Sequence, residues 1–565
     1  AEILASALEP VRFSGISLRS PSGSAVVELA AVELTGEEPK INRLRLSLDS
    51  AYPLNIENPE DGKTVSLRLH NSSACPIAAG LHLELREAEA KAFELRQKYL
   101  IPPGKTIGLS LPPAVGRGIR YGTLEITDPE HPGLVRREEF STAVMVPATP
   151  SPRKPTGFLF GVCGHPQRYS AEEQKREAAA AALCGAKILR EDSNWGIIQP
   201  NPAEWNFSSL DRTVEIFGEQ GLELELIYSY TPRWAVAKEF APLKKERVRG
   251  FNSRPDYGAW REFIRRTAAR YRGKIRFFEV WNEPDLYSFA NFSAGEYLEM
   301  LKIAAEETRK ANPDAKLLTG GFTCMPPYFA LNDQKHQEKT LSQGKGYYQI
   351  HAFHGHGPFS HYYPQVEKML AMRKTLGVSA PWWPNETADS SVFAGETGQA
   401  VTLWKKLFYS WANGAIGYNW YDLRNDGTDP GNVEHNFGMI RHDFNPKAVY
   451  PAYNTITRNF GEAEYTFTAD GFPGLRLYGF RAGTDLLLAG WNDSPDSDAR
   501  LLLFKTDAKN AECFDLFDNR SELALRRGWA LITVDNRPAG VRFAGAGELQ
   551  PVGAPVATTR DVVLP

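Results

Sequence analysis

Two glutamates in matching surroundings carry the chemistry this chain could do. The stretch Phe277-Phe278-Glu279-Val280-Trp281-Asn282-Glu283-Pro284-Asp285 is a short apolar run that stops at an amide, a carboxylate and a proline. Further along, Pro381-Trp382-Trp383-Pro384-Asn385-Glu386-Thr387 repeats the pattern. Short runs rich in β-branched and aromatic side chains suit buried strands better than helices. Pro284 cannot continue a ladder and restricts the residue before it, so the strand expected over Ile275–Trp281 ends there. Each glutamate then stands at the carboxyl end of a strand. Cleavage of a glycosidic bond asks for two such carboxyl groups, one to protonate the leaving oxygen and one to attack or to activate water. The plainer alternatives are a carboxylate that only solvates a strand end, for Glu283, and one that sits at a helix N-terminus, for Glu386.

For the two to meet, their strands must belong to one closed sheet. Four prolines between Pro147 and Pro155 mark a stiff linker. Beyond it, strands alternate with helices, the signature of βα units. Strands are expected at Gly157–Val162, Ala186–Leu189, Leu222–Ile227, Ile275–Trp281, Ala315–Thr319, Tyr347–Phe353, Ala380–Trp383 and Gly414–Trp420. Eight such units make an α/β fold, a (β/α)8 TIM barrel over residues 151–460, with its site at the carboxyl ends of the strands. The fourth and seventh strands face each other across the barrel mouth. An open doubly wound sheet would want a glycine-rich phosphate loop after the first strand, and Gly161-Val162-Cys163-Gly164-His165 matches it poorly. Short alternating runs on either side indicate β-sandwich domains flanking the barrel. Residues 1–40 read as a β-rich fragment or part of a sandwich module, 41–150 as an Ig-like β-sandwich, and 461–565 as a C-terminal β-sandwich.

The totals agree with a large enzyme and exclude other classes. The 565 residues exceed one ordinary domain. Lys+Arg 65 against Asp+Glu 68 leaves no basic field for nucleic acid. No apolar run approaches the roughly 18–20 residues of a membrane span. Five scattered cysteines show neither metal-ligand spacing nor a disulfide framework, so free thiols are expected. With Ala1 first and no charged-then-apolar leader in view, the expectation is an extracellular or periplasmic protein whose signal peptide has been removed.

Several stretches carry a family resemblance. Trp281-Asn282-Glu283-Pro284 resembles the acid/base motif of clan A glycoside hydrolases, the retaining (β/α)8 enzymes. Within that clan the chain is most similar to family 39 and related exopolysaccharide hydrolases. The stretches that carry this are Ile188-Leu189-Arg190-Glu191-Asp192-Ser193-Asn194-Trp195, Tyr230-Thr231-Pro232-Arg233-Trp234-Ala235, and Phe437 to Arg441 with Pro446 to Tyr453. The resemblance spans roughly Thr156 to Phe460. It implies Glu283 as general acid/base, Glu386 as nucleophile, Asn282 as hydrogen-bond donor to the sugar 2-hydroxyl, and Arg190 as support for the nucleophile. It implies an oligo- or polysaccharide substrate and no cofactor.

One departure stands out. These families commonly end the sixth strand with His-x-Tyr, where this chain has His354-Gly355-His356. His356, Tyr362 and Tyr363 are the candidates for the place of the missing phenol. His351, His354 and His356 are expected as neutral hydrogen-bonding imidazoles rather than metal ligands, since no carboxylate or cysteine stands beside them in sequence. Trp420, Trp195 and Trp234 are candidates for sugar-stacking platforms and equally for core. Tyr228 or Tyr230 is a candidate donor to a hydroxyl, and Asn425, Asp426 and His435 are candidates for shaping the entrance. The expected activity is hydrolysis of β-glycosidic bonds by retaining double displacement. The alternatives are an inverting hydrolase and an inert glycan-binding scaffold on the same barrel. No oligomeric state is read from the sequence.

Overall fold

The computed structural model describes residues 39–87, 90–131, 133–150, 157–469, 474–494 and 499–557. The β-rich segment expected before residue 39 lies outside these residues. The chain divides into two compact units, between Val144 and Met145.

The first unit holds β1 (Leu44–Asp49), β2 (Ile56–Glu57), β3 (Ser66–Asn71), β4 (Ile77–Glu87), β5 (Ala90–Ile101), β6 (Thr106–Ser110), β7 (Gly118–Thr127) and β8 (Val135–Val144). They form two sheets, β1-β3-β6 and β2-β8-β7-β4-β5. Strict alternation along β4 buries Ile77, Ala79, Leu81, Leu83 and Leu85 and leaves the residues between them outside. These side chains share one core with Leu67 and Leu69 of β3, so the two sheets form a sandwich.

The second unit opens with the barrel. Its elements are β9 (Leu159–Cys163), α1 (Ala171–Leu183), β10 (Ile188–Asp192), α2 (Trp195–Ile198), α3 (Ser208–Glu219), β11 (Glu223–Tyr228), α4 (Tyr257–Arg270), β12 (Phe277–Val280), α5 (Ala294–Ala311), β13 (Lys316–Thr319), α6 (His336–Gln343), β14 (His351–His356), α7 (Phe359–Thr375), β15 (Trp382–Ala388), α8 (Ser391–Ala412), β16 (Gly417–Trp420) and α9 (Val449–Phe460). The parallel ladder runs from β9 to β13 and from β14 to β16, and β16 pairs back onto β9. Parallel bridges Leu318–Ile350 and Phe322–Phe353 join β13 to β14 and complete the ring. All eight expected strands are present. Leu159, Ile188, Phe277, Leu318, Ile350, Ala352 and Trp383 fill its interior, so the barrel is a core and not a pore.

Strand bounds shift by a few residues from expectation, and in three strands the local reason is plain. The sixth strand pairs with the seventh only from His351, whose N–H reaches the Pro381 carbonyl at 2.9 Å. The fourth ends at Val280, before Trp281 and Glu283 turn into the left-handed region. The seventh runs through Glu386 to Ala388. Pro384 lies inside it and has no N–H for the ladder, and the register slips there: Ala352 faces Trp383, yet His354 faces Glu386. This one-residue bulge re-aims the side chains that follow it.

The C-terminal strands are β17 (Glu464–Thr468), β18 (Leu475–Ala482), β19 (Asp485–Asn492), β20 (Arg500–Thr506), β21 (Asn510–Phe514), β22 (Arg520–Leu523), β23 (Leu525–Arg526), β24 (Trp529–Val534), β25 (Ala539–Ala544) and β26 (Leu549–Ala557). They form a six-stranded and a four-stranded sheet around one apolar core, a second sandwich. It packs on the barrel through rings: Phe480 meets Trp411 of α8 at 4.8 Å and Phe460 of α9 at 5.3 Å. Asn459 and Arg458 of α9 both donate to Asp518, each at 3.1 Å.

Candidate active site

The turn after β12 aims Glu283 over the barrel mouth. Trp281 (φ 70°) and Glu283 (φ 45°) both adopt left-handed backbone, at a cost on the order of 1–3 kcal/mol each. Packing holds them there. The buried Trp281 indole donates to the Phe289 carbonyl at 3.0 Å and lies edge-on to Tyr230 and Phe292, each at 5.3 Å. Across the sheet, a Cβ on Gly320 would come within 2.7 Å of Pro284 and 2.9 Å of the Trp281 carbonyl, so this turn needs glycine beside it.

Arg190 of β10 organises the floor. Its Nε donates to Glu279 at 2.7 Å, one terminal nitrogen to Glu386 at 2.5 Å, and the other to the Asn282 carbonyl oxygen at 2.7 Å. With Asn282 bonded through its oxygen, its amide nitrogen is the donor. His354 Nδ1 lies 2.9 Å from Glu283 Oε1, and its Nε2 lies 3.4 Å from an Arg190 nitrogen. A guanidinium can only donate, so Nε2 accepts and Nδ1 carries the proton toward Glu283. On the other side, His356 Nε2 lies 3.0 Å from Glu386 Oε1. A carboxylate oxygen of Glu283 and one of Glu386 lie within 4.8 Å of each other.

These surroundings push the two carboxyls apart in acidity. Burial raises Glu283 well above the usual carboxylate range, and the nearby charges of Glu386 and Asp285 add to it. Burial acts the same way on Glu386 but is outweighed by the Arg190 guanidinium and the hydrogen bond with His356, which hold it well below that range. His354 itself is pushed down to about 3 by burial and is therefore neutral. One carboxyl kept protonated beside one kept ionised is an acid paired with an anion.

A deeper layer keeps this geometry. Burial and the neighbouring Glu279 push Glu225 of β11 up to about 8; it accepts from Asn385 at 2.8 Å and Asn419 at 2.7 Å. Gly321 leaves room for the His354 imidazole, because a Cβ there would fall 1.9 Å from its Nε2. Lys406 of α8 is fully buried and donates to the carbonyls of Gly355 at 2.7 Å and Ala388 at 2.8 Å, fastening the ends of β14 and β15 together.

Over this floor lies a cavity of about 800 Å³, lined by both glutamates, Asn282, Arg190, Tyr230 and His356, among others. The profile of glycosyl hydrolases family 39 matches residues 187–375. The barrel resembles that of family 39 glycoside hydrolases. A family 39 glycoside hydrolase from the gut symbiont Bacteroides cellulosilyticus WH2 superposes with a TM-score of 0.65 at 18% identity, covering 88% of this chain and 99% of that one. A family 30 endoxylanase from Clostridium papyrosolvens C71 superposes with a TM-score of 0.51 at 14% identity, over 70% of this chain and 97% of that one. The β-galactosidase Bga of Halorubrum lacusprofundi is 30% identical over 126 residues, which is 20% of this chain and 18% of that relative.

The family 39-like barrel brings together Glu283, Glu386, Asn282, Arg190, Tyr230 and His356 at the cavity, where the sequence placed them. His354 differs from its expected part as a sugar contact. It is wholly buried and meets Glu283 and Arg190 instead. The three tryptophans are corrected as stacking platforms, because none of them lines the cavity and each indole N–H is already used. Trp195 is buried against Phe263 at 4.6 Å and donates to Gln199. Trp234 donates to the Gln199 carbonyl at 2.8 Å and sits edge-on to Trp195. Trp420 is buried and donates to the Phe437 carbonyl at 3.1 Å. Tyr228 bonds Thr308, and Tyr362 bonds Ser410, both buried away from the cavity, and Tyr363 packs on Phe359. His356 therefore takes the position beside Glu386. Asp426 bridges Arg168 and the Tyr421 hydroxyl near the entrance, while Asn425 holds the Gly438 N–H.

The structure also amends the reading of the histidines. His354 and His356 do have carboxylate neighbours in space, and among the described residues Glu283, His354, His356 and Glu386 bring donor atoms within 4.8 Å, a set able to hold a metal ion. Here the four are paired as His354–Glu283 and His356–Glu386 hydrogen bonds. Glu279, Glu225, Lys406 and Tyr421 escaped the sequence reading. For the first two the signal was there: a carboxylate in the middle of an apolar strand asks for a buried partner.

Two outcomes are expected here. Trp195→Ala should lower stability by about 3–5 kcal/mol, as for a fully buried indole, with substrate KM little changed; a large KM rise at unchanged melting temperature would return Trp195 to the substrate. Arg190→Met strands Glu279 and Glu386 together, and loss of one partner from a buried ion pair costs about 3–5 kcal/mol. Denaturant titration of that variant reads the loss directly.

Proposed function

We propose that this protein is a retaining β-glycosidase that acts on an oligo- or polysaccharide. The observation that carries the reading is the short gap between the two carboxyls together with their opposite acidities. Retaining enzymes hold these groups about 5–5.5 Å apart, whereas inverting enzymes need about 6.5–9.5 Å to admit a water between them. Oxygens within 4.8 Å support the former.

In the first step ionised Glu386 attacks the anomeric carbon while protonated Glu283 gives its proton to the departing oxygen, leaving a glycosyl ester on Glu386. In the second, Glu283, now ionised, takes a proton from water, and that water releases the sugar. Between steps the Glu386 charge is consumed, and Glu283 titrates more easily because its like-charged neighbour is gone. Arg190 stays cationic through both steps and holds the Asn282 carbonyl oxygen, which leaves the amide nitrogen as the donor for a sugar 2-hydroxyl in this reading. His354 fixes the Glu283 carboxyl from beneath without entering the chemistry.

The β-galactosidase among the relatives makes β-galactosides the first glycosides to assay, and the endoxylanase adds β-xylosides. The test is incubation with 2-fluoro-2-deoxy glycosyl fluorides followed by peptide mapping. The reading holds if the label lands on Glu386 and the product anomer, followed by proton NMR, keeps the substrate's configuration. Inverted product would replace it with a single displacement.

A further inference from the structure

The cavity wall is unlike on its two sides. The loops after β11, β12 and β13 contribute Tyr230, Phe251, Leu286, Phe289 and Tyr328, with Thr323 and Cys324. Apart from Glu283, no charged side chain of the described residues lines the cavity from these loops. The loops after β9 and β16 and the end of β10 contribute His165, Arg168, Glu191, Asp192 and Glu434. The strand order puts the apolar side around β12, which carries Glu283, and the charged side next to β15, which carries Glu386.

Two rings on the apolar side are open to solvent, Phe251 at 38% and Tyr328 at 40% exposure. They are held in place as well as exposed. Phe251 sits edge-on to Tyr230 at 5.4 Å. The Tyr328 backbone is clamped by Gln334, which accepts from its N–H at 3.1 Å and donates to its carbonyl at 2.7 Å. Fixed, solvent-exposed aromatic faces at the mouth of a polar cavity are what a flat apolar ligand surface covers.

Which part of the substrate covers them follows from the chemistry. The oxygen that an acid protonates belongs to the departing group, so that group lies on the acid's side. We infer that Phe251 and Tyr328 form the leaving-group subsite, and that it takes an uncharged group with a flat apolar face, either an aromatic ring or the face of a second pyranose. The inference rests on the retaining-glycosidase reading and adds to it the class of aglycone. A charged leaving group would lose its hydration on this wall with nothing to pair it.

The test compares benzyl and methyl β-glycosides of whichever glycone gives turnover. Their leaving alcohols have nearly equal acidity, so the ratio of kcat/KM reports contact and not leaving-group chemistry. Wild-type enzyme is expected to favour the benzyl glycoside by about tenfold or more, the scale of one apolar group in a fitted pocket. Phe251→Ala and Tyr328→Ala should each shrink that ratio severalfold, while Phe251→Trp keeps or raises it and shows that a folded protein is being read. A β-linked disaccharide of the same glycone, run alongside, tells a sugar face from an aromatic one by which substrate loses more in the variants. A ratio near one in the wild type, or one that survives both alanine variants, overturns the inference while leaving the hydrolase reading intact. A protein that cleaves no glycosyl fluoride, which needs no acid, removes the hydrolase reading and this inference with it.

Discussion

Glu386→Ala is expected to lower kcat by at least about 10⁴-fold, because the covalent route needs this carboxylate and no other group can take its place. Free azide should then restore part of the turnover by attacking from the vacated side, releasing a glycosyl azide of the opposite anomeric configuration. The fold should persist, since Arg190 keeps Glu279 at 2.7 Å and Asn282 at 2.7 Å when Glu386 is gone. The depressed acidity range of Glu386 means that it stays ionised across the working pH range and sets no limb of the rate profile there. Activity within about tenfold of wild type would assign the nucleophile elsewhere.

Glu283→Gln should show an effect that depends on the leaving group. Proton donation is worth about 10²–10⁴-fold for poor leaving groups, and almost nothing in the first step for a glycosyl fluoride. The pH dependence carries the sign. Burial and the charge of Glu386 raise the Glu283 carboxyl above its ordinary range, so the active, protonated form persists at higher pH than for a free glutamate. Activity is therefore full below that raised value and falls as pH rises through it. The falling limb should disappear in Glu283→Gln, measured as kcat/KM against pH with an activated substrate. An alkaline limb unchanged in the variant would place the acid on another residue.

Much of the site was legible before any coordinates, for physical reasons that can be named. A proline directly after a carboxylate ends a strand, so Trp281-Asn282-Glu283-Pro284 announced both the strand end and its chemistry. Eight alternating βα units then oblige the fourth and seventh strands to face one another. What escaped is whatever depends on the side of a strand and on pairing across it. Trp195, Trp234 and Trp420 have the composition of stacking platforms, yet packing buries Trp195 and Trp420, and half-buried Trp234 stands edge-on to Trp195 outside the cavity lining. Phe251 and Tyr328 lie in long loops without periodicity, where nothing local tells an exposed ring from a buried one.

By itself, then, the sequence determined the barrel, its flanking sandwiches and the two glutamates, because hydrophobic periodicity and proline stops are local signals, while the arginine beneath them was implied by the family resemblance. Only the tertiary structure decided how those groups are tuned. The bulge at Pro384 sets Glu386 opposite His354, and Arg190 joins three strands at once. His354 and His356 divide between the two carboxyls, one to each. Acidity in a buried site follows from desolvation and from charges a few ångströms away, and those distances exist only once the barrel has closed.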